Sequence, residues 1–240
     1  MRVILRLLLA LFLVLVVILL VGGFFWWLSG GVPSRAAQPE DLGIEYSGLD
    51  RQVAESKTGV KTMQINSVEG YFKTVSYEGS HPVETVFTQE EISALANGGA
   101  WQYYPLKAVQ IRLNSDSSLE ASGWVLTETI GDYIEATGGV DSLVTRLIKL
   151  LGFNKQNLPF YLKGSIAIKD NELNLRLQKA KLGSVPLPLV LLEGNSRAIN
   201  DFVKRQMLFV QGLSIDSLEI KNRQLELVGT LPDIERISVY

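Results

Sequence analysis

The residue types that support catalysis are sparse in this 240-residue chain, and none stands in a catalytic pattern. The single histidine, His81, precedes Pro82 in a turn-like stretch, and no serine in a G-x-S-x-G setting exists to act with it. Asp116 and Glu120 flank a predicted hairpin turn, where carboxylates are usually solvated. We therefore interpret His81 as a solvated turn residue and predict that the protein is not an enzyme.

The sequence contains few residues that could bind a metal or undergo redox chemistry. The absence of cysteine from the sequence excludes disulfides, thiolate metal ligands and cysteine nucleophiles. One histidine cannot form a histidine-rich zinc site. The pairs Gly98-Gly99 and Gly138-Gly139 interrupt helical patterns and lack the spacing of a phosphate-binding loop. We expect no metal and no cofactor.

The charges of the chain are well mixed. It carries 23 basic and 25 acidic residues, for a net charge of −2. Proteins that bind nucleic acid present a basic face. This composition therefore argues against nucleic acid as a partner.

The longest apolar run extends from Leu7 to Leu28 and contains no charged side chain. As a helix with a rise of 1.5 Å per residue it would be about 33 Å long, enough to cross the hydrocarbon core of a bilayer. Arg2 and Arg6 precede the run, and positive charge is retained on the cytoplasmic side. The pattern predicts an uncleaved signal anchor in the cell membrane, single-pass, with the N-terminus cytoplasmic and the C-terminal domain extracytoplasmic.

A cleaved signal peptide is the alternative interpretation of this run. The apolar core of a signal peptide is normally about 7–15 residues long, which is shorter than the run seen here. A cut after Ala37 would place Arg35 three residues before it, which suits cleavage poorly. The anchor interpretation divides the chain into a cytoplasmic tip at 1–6, a transmembrane helix at 7–28, an unstructured linker at 29–58 and an extracytoplasmic domain at 59–240.

The domain alternates between strand patterns and helix patterns. Three segments show apolar alternation on two arms around a turn rich in Asp, Asn or Ser, as β-hairpins do. They are Val109–Leu113 with Leu119–Val125, Ser165–Ile168 with Leu173–Leu177, and Leu218–Ile220 with Leu225–Val228. Six aligned residues relate the last two, either through an internal duplication or because hairpins look alike. We predict an α+β fold in which a curved sheet, antiparallel throughout, packs with amphipathic helices.

Two helices are predicted with particular clarity. Thr88 and Glu91 form a capping box, which predicts a helix over 89–97 that ends before Gly98-Gly99. A second helix is indicated by an apolar stripe with helical spacing. Its members are Val140, Leu143, Val144, Leu147, Ile148 and Leu151.

The surplus of apolar residues around these helices predicts a lipid-binding groove. Its walls would be the second helix and an apolar run that contains Leu187, Leu189 and Leu191. Trp101, Tyr103 and Tyr104 would either plug the core end of the sheet or form an exposed aromatic rim at the mouth of the groove. The alternative is that side chains fill the seam between helices and sheet completely.

Three short motifs resemble those of the YpmS-like and LmeA-like envelope proteins. They are FTQEEISAL at Phe87–Leu95, GSVPLP at Gly183–Pro188 and LVGTLP at Leu227–Pro232. The resemblance implies a relation to tubular lipid-binding folds, in which a curved antiparallel sheet wraps a helix and holds phospholipid. It implies no catalytic residues.

Together these observations predict a membrane-anchored, extracytoplasmic protein of the bacterial cell envelope that binds or handles lipid without catalysis. The expected partner is membrane lipid. The alternative is an envelope scaffold or accessory protein that binds a protein partner.

Overall fold

A computed structural model describes residues 38–66, 75–97, 104–129, 132, 157–183, 185–186, 204 and 207–239. Its two principal helices are α1 (Gly48–Thr58) and α2 (Gln89–Ala96). Its strands are β1 (Lys61–Asn66), β2 (Val75–Glu78), β3 (His81–Phe87), β4 (Leu106–Leu113), β5 (Leu119–Val125), β6 (Leu158–Lys169), β7 (Glu172–Leu182), β8 (Val185–Pro186), β9 (Ser214–Lys221), β10 (Gln224–Leu231) and β11 (Ile234–Val239).

The fold is mainly β, so the predicted α+β class is corrected. Strands make up 54% of the structure and helices 20%, and the strands form two sheets. The three predicted hairpins are present as β4–β5, β6–β7 and β9–β10. The prediction that every strand pair is antiparallel is wrong, because β1 runs parallel to β11. These two strands are far apart in sequence, so hairpin patterns carry no information about their relative direction.

The predictions of a transmembrane helix, a signal anchor and a single-pass location in the cell membrane are also corrected. A spanning helix needs about 20 apolar residues. In the part of the chain that the structure describes, no helix is long and apolar enough to cross a membrane. The run from Leu7 to Leu28, on which these predictions depended, lies outside the described residues.

The small sheet, in the order β1-β11-β2, continues into the large sheet at a bend. The strand pairs keep one register across this bend, with Glu78 opposite Ile234 on one side and His81 opposite Leu231 on the other. Gly79 has a positive φ of 68°, and a Cβ there would collide with the carboxylate of Asp233. Glycine is therefore required at this corner.

His81 stabilises the bend rather than standing solvated in a turn. It is the first residue of β3, and its Nδ1 lies 2.8 Å from Oδ1 of Asp233. Its Nε2 lies 2.8 Å from the carbonyl oxygen of Thr58, in the last turn of α1. The imidazole thus links three elements, and the prediction of a solvated histidine is wrong.

The large sheet forks at β6, because two different strands pair with separate parts of one edge of β6. The other edge of β6 pairs with β7 from Phe160 to Lys169. At the fork, Leu158–Gly164 pairs with β5, whereas β9 pairs only with Ile168 and Lys169. The hairpins β4–β5 and β9–β10 therefore meet turn to turn near the middle of β6. A Cβ at Gly164 would lie 2.5 Å from the carbonyl oxygen of Arg176, so only glycine allows β7 to approach here.

Helix α2 seals the free edge of β4 with side chains. Gln89, Ser93 and Asn97 recur every four residues and so lie on one face of the helix. Four helical residues rise about 6 Å and two strand residues about 6.6 Å, so the two repeats nearly match. Each of the three side chains bonds to the backbone of one β4 residue, and we call these contacts rungs. In the first rung, the Gln89 Oε1 atom accepts a hydrogen bond from the Leu113 N–H at 3.3 Å.

The other two rungs are reciprocal pairs of hydrogen bonds. The Asn97 amide donates to the Val109 carbonyl and accepts from the Val109 N–H, both at 2.7 Å. The Ser93 hydroxyl donates to the Ile111 carbonyl at 3.3 Å and accepts from the Ile111 N–H at 2.8 Å. These contacts satisfy backbone groups that would otherwise offer an edge for unwanted strand pairing.

The start of α2 is the predicted capping box. The Thr88 hydroxyl accepts from the Glu91 N–H, and the Glu91 carboxylate accepts from the Thr88 N–H at 3.0 Å. Glu91 is buried, and the Lys57 ammonium of α1 donates to both of its oxygens at 2.7 Å. A buried carboxylate requires such a partner, and the pair fixes α2 against α1.

The segment 38–58, predicted to be unstructured linker, is ordered. Leu42 is buried with Tyr161 of β6, and its N–H donates to the side chain of the β4 residue Gln110 at 2.6 Å. A second capping box, formed by Ser47 and Asp50, begins α1. Its S-x-x-D pattern corresponds to the T-x-x-E pattern that predicts α2. The sequence around it is polar and glycine-rich, which is typical of a linker.

One cluster of buried apolar side chains joins both sheets and α2. Its largest fully buried members are Phe87, Phe160, Ile215, Leu218, Leu227, Leu231 and Ile237.

Candidate functional site

Of the predicted groove residues, only Tyr104 lies among the described residues. Its ring packs against the main core, and its hydroxyl donates to the Ala96 carbonyl at the end of α2 with a length of 2.6 Å. The others lie outside the described residues: Trp101, Tyr103, Val140, Leu143, Val144, Leu147, Ile148, Leu151, Leu187, Leu189 and Leu191. The groove that they would line stays a prediction.

The long hairpin β6–β7 has one wholly apolar face, which we call the inner face. Successive residues of a strand point to opposite sides, and one bulge at Gln178 keeps β7 in phase with β6. The opposite face of β7 carries Glu172, Asn174, Arg176, Lys179 and Lys181. The inner face carries Phe160, Leu162, Ile166 and Ile168 of β6 and Leu173, Leu175, Leu177, Ala180 and Leu182 of β7.

Two inner-face residues, Leu175 and Leu177, form what we call the apolar window. They are only half-buried, although Leu173 and Ala180 on either side are 8% and 2% exposed. Among the described residues, β8 pairs with β7 only at its end, through Lys181 and Leu182. Within the described ranges, the apolar window therefore lies on an edge strand.

The outer face of the same hairpin holds a charged network around Tyr161. Its hydroxyl donates to Oε2 of Glu120 at 2.7 Å, and the ammonium groups of Lys179 and Lys181 lie 5.2 and 5.6 Å from its ring centre. Burial, the hydrogen bond to Glu120 and the charge of that carboxylate together raise the pKa of Tyr161 well above its usual range. The phenol therefore remains a hydrogen-bond donor.

Glu120 is held ionised in this network. Burial acts to raise the pKa of Glu120, but hydrogen bonds from Tyr161 and Asn114 and the charge of Lys163, 3.8 Å away, hold it below its usual range. Lys181 also forms an ion pair with Glu40. These contacts attach the segment before α1 to the sheet, so we assign the network to structure.

A polar cleft of about 480 Å³, which we call the fork cleft, lies where the two hairpin turns meet the first turn of α2. Leu113, its one apolar lining residue, belongs to the buried core, so the cleft ends on packed side chains. Its lining contains two guanidinium groups, four amides, two hydroxyls and one carboxylate. The residues are Thr88, Gln89, Glu90, Arg112, Leu113, Asn114, Ser115, Asn222, Arg223 and Gln224.

The fork cleft has no signature in the sequence. Both hairpin turns and the helix start were predicted, but the lining comes from the separated segments 88–90, 112–115 and 222–224. No motif spans these segments. Within the described ranges, no group of three His, Asp or Glu residues is placed to hold a metal ion.

Comparisons with protein-family models, with curated proteins and with solved structures find no match for this chain. The resemblance to the YpmS-like and LmeA-like proteins therefore stays a prediction.

Proposed function

We propose that this chain is a non-catalytic lipid-binding protein that holds an acyl chain against the inner face of β6–β7. The observation that carries the proposal is the apolar window, Leu175 and Leu177, half-buried on an edge strand within an otherwise buried apolar face. An acyl chain laid there would cover the two leucines and extend the existing core.

The energy of such binding comes from apolar burial. Each methylene removed from water contributes about 0.8 kcal/mol, so ten methylenes contribute about 8 kcal/mol before the costs of association are subtracted. The inner face carries no charged side chain, so affinity depends on chain length and little on the head group. The second wall predicted from the sequence, the apolar stripe over 140–151 and the run over 187–191, lies outside the described residues.

Native mass spectrometry of the purified full-length chain with palmitate or a phospholipid tests the proposal. We expect one added lipid mass on the wild type. The double substitution Leu175→Thr/Leu177→Thr keeps β-forming residues and weakens binding about tenfold, which corresponds to 1.4 kcal/mol. The matched control, Asn174→Thr/Arg176→Thr, alters the opposite face of the same strand and leaves binding within about twofold.

Two outcomes would overturn the proposal. One is that the wild type takes up neither lipid; the other is that both double variants lose binding equally. Isolation of a stable protein partner without lipid would instead support the alternative of a scaffold.

A further inference from the structure

We propose that the fork cleft is a binding site for a small ligand with a carboxylate or phosphate group, held between Arg112 and Arg223. This site is independent of the proposed lipid site. The two arginines come from different hairpins and line one cleft because the large sheet forks at β6. Planar guanidinium groups bind carboxylate and phosphate oxygens in paired hydrogen bonds.

Arg112 is the oriented cation of the cleft. It is half-buried on β4, and its guanidinium donates to the Leu42 carbonyl of the segment before α1. Arg112 lies opposite Glu120 in the β4–β5 pairing, and its charge adds to the hydrogen bonds that lower the pKa of Glu120 and of Asp41. A guanidinium has five N–H donors, so a ligand would share Arg112 with these carboxylates and with the Leu42 carbonyl. The side chain is thus held in place before a ligand arrives.

Arg223 is the exposed cation of the cleft, and its backbone is unusual. Asn222 and Arg223, the two central residues of the β9–β10 turn, have φ of 51° and 59°. This left-handed pair is typical of type I′ hairpins, which favour Asn-Gly. Asn tolerates this conformation, but for Arg it costs about 1–2 kcal/mol.

In the described part of the chain, no hydrogen bond or ion pair of the Arg223 guanidinium offsets that cost. The β6–β7 turn has the same left-handed backbone at its two central residues, Asp170 and Asn171, with φ of 51° and 63°. An arginine in place of such a residue is explained by a ligand that its side chain binds.

The remaining lining fits an acidic ligand that also carries polar groups. Glu90 is the one acid, and its carboxylate accepts from the Gln89 amide at 3.0 Å, so the lining retains a net charge of about +1. Ser115, Asn222 and Gln224 add neutral groups that suit hydroxyls. A volume of about 480 Å³ falls within the range of small-molecule sites.

The N-terminus of α2 is not the basis of the site. The N–H groups of Thr88 and Glu91 are already bonded within the capping box. The positive charge that faces the cleft is therefore that of the two arginines.

Isothermal titration calorimetry of the full-length chain tests the site with inorganic phosphate, glucose 6-phosphate and citrate, with glucose as the uncharged probe. We expect a saturable signal from a phosphate or a carboxylate probe and none from glucose. A response to the phosphate probes alone identifies a phosphate ligand, and a response to citrate alone a carboxylate ligand.

The substitution Arg223→Asn removes the cation while giving the turn a residue suited to its backbone. We expect the fold to be kept, with a Tm equal to or above that of the wild type, and the affinity for the responding probe to fall at least tenfold. Arg176→Gln, which removes one positive charge from the outer face of β7, leaves the affinity unchanged. The proposal is overturned if no charged probe binds, or if the two variants lose affinity equally. Lipid uptake by Arg223→Asn stays at the wild-type level, which separates this test from that of the lipid site.

Discussion

The edge of β4 that faces away from β5 and the edge of β7 that faces away from β6 differ in what covers them. Gln89, Ser93 and Asn97 of α2 bond to the backbone of β4, so no further strand can be added there. Among the described residues, the edge of β7 that faces away from β6 pairs only with the short strand β8, and the apolar window is half-buried. In this part of the chain, backbone groups of the β4 edge are thus bonded to a helix, whereas the β7 edge has a strand partner only at Lys181 and Leu182.

The largest effect is expected from removing the side-chain rungs on β4. The double substitution Ser93→Ala/Asn97→Ala leaves the N–H and carbonyl groups of Val109 and Ile111 without partners next to the core. Each buried polar group left unsatisfied costs about 1–3 kcal/mol, so we expect a loss of about 4 kcal/mol in the free energy of unfolding. Urea denaturation measures it.

The control is Ser56→Ala, which removes an exposed serine hydroxyl from α1 that donates to the Val53 carbonyl. It should change stability by less than about 0.5 kcal/mol. If the two proteins unfold at the same urea concentration, the side-chain rungs do not stabilise the edge of β4.

A smaller effect is expected at β7. Leu175→Thr/Leu177→Thr should lower the free energy of unfolding by less than about 2 kcal/mol, because the apolar window is only half-buried. Saturating palmitate should raise the Tm of the wild type but not of this variant, since a ligand stabilises only the state that binds it. Differential scanning fluorimetry with and without palmitate makes the measurement. A loss as large as that at β4 would show that the window is ordinary core.

The smallest effect is expected on the outer face, and it depends on pH. Because the pKa of Tyr161 is raised in the folded protein, its contribution is complete below the unfolded value of 10.0 and is lost as pH rises through the folded value. Wild-type stability should therefore fall above pH 10 more steeply than that of Tyr161→Phe. Parallel unfolding slopes for the two proteins in this range would contradict the assigned network.

Local chemistry explains which elements could be predicted. The T-x-x-E capping box of α2 and the alternation of β6 and β7 depend on neighbours within a few residues, and the structure contains both. The Ser47–Asp50 box of α1 is equally local, but the polar, glycine-rich sequence around it lacks the apolar periodicity that predicts a helix. The prediction of a membrane-spanning helix depends on the hydropathy, length and flanking charges of the run Leu7–Leu28, and the fold class depends on elements whose partners the sequence does not show.

Pairing at a distance explains what could not be predicted. Alternation in β6 specifies which side chains share a face, but the same pattern fits any neighbouring strand. Gly164 allows close approach of β7, yet nothing in its sequence context indicates that two hairpins will meet turn to turn beside it. The fork cleft follows from that meeting.

The amino-acid order alone thus sets the caps, the turns and the apolar face of each strand, because these depend on contacts between residues close in the chain. The parallel pairing of β1 with β11, the bonded edge of β4 and the common cleft of Arg112 and Arg223 arise only on folding. Each joins segments separated by many residues, and it is the packing of the whole core that selects one arrangement among those that local patterns allow.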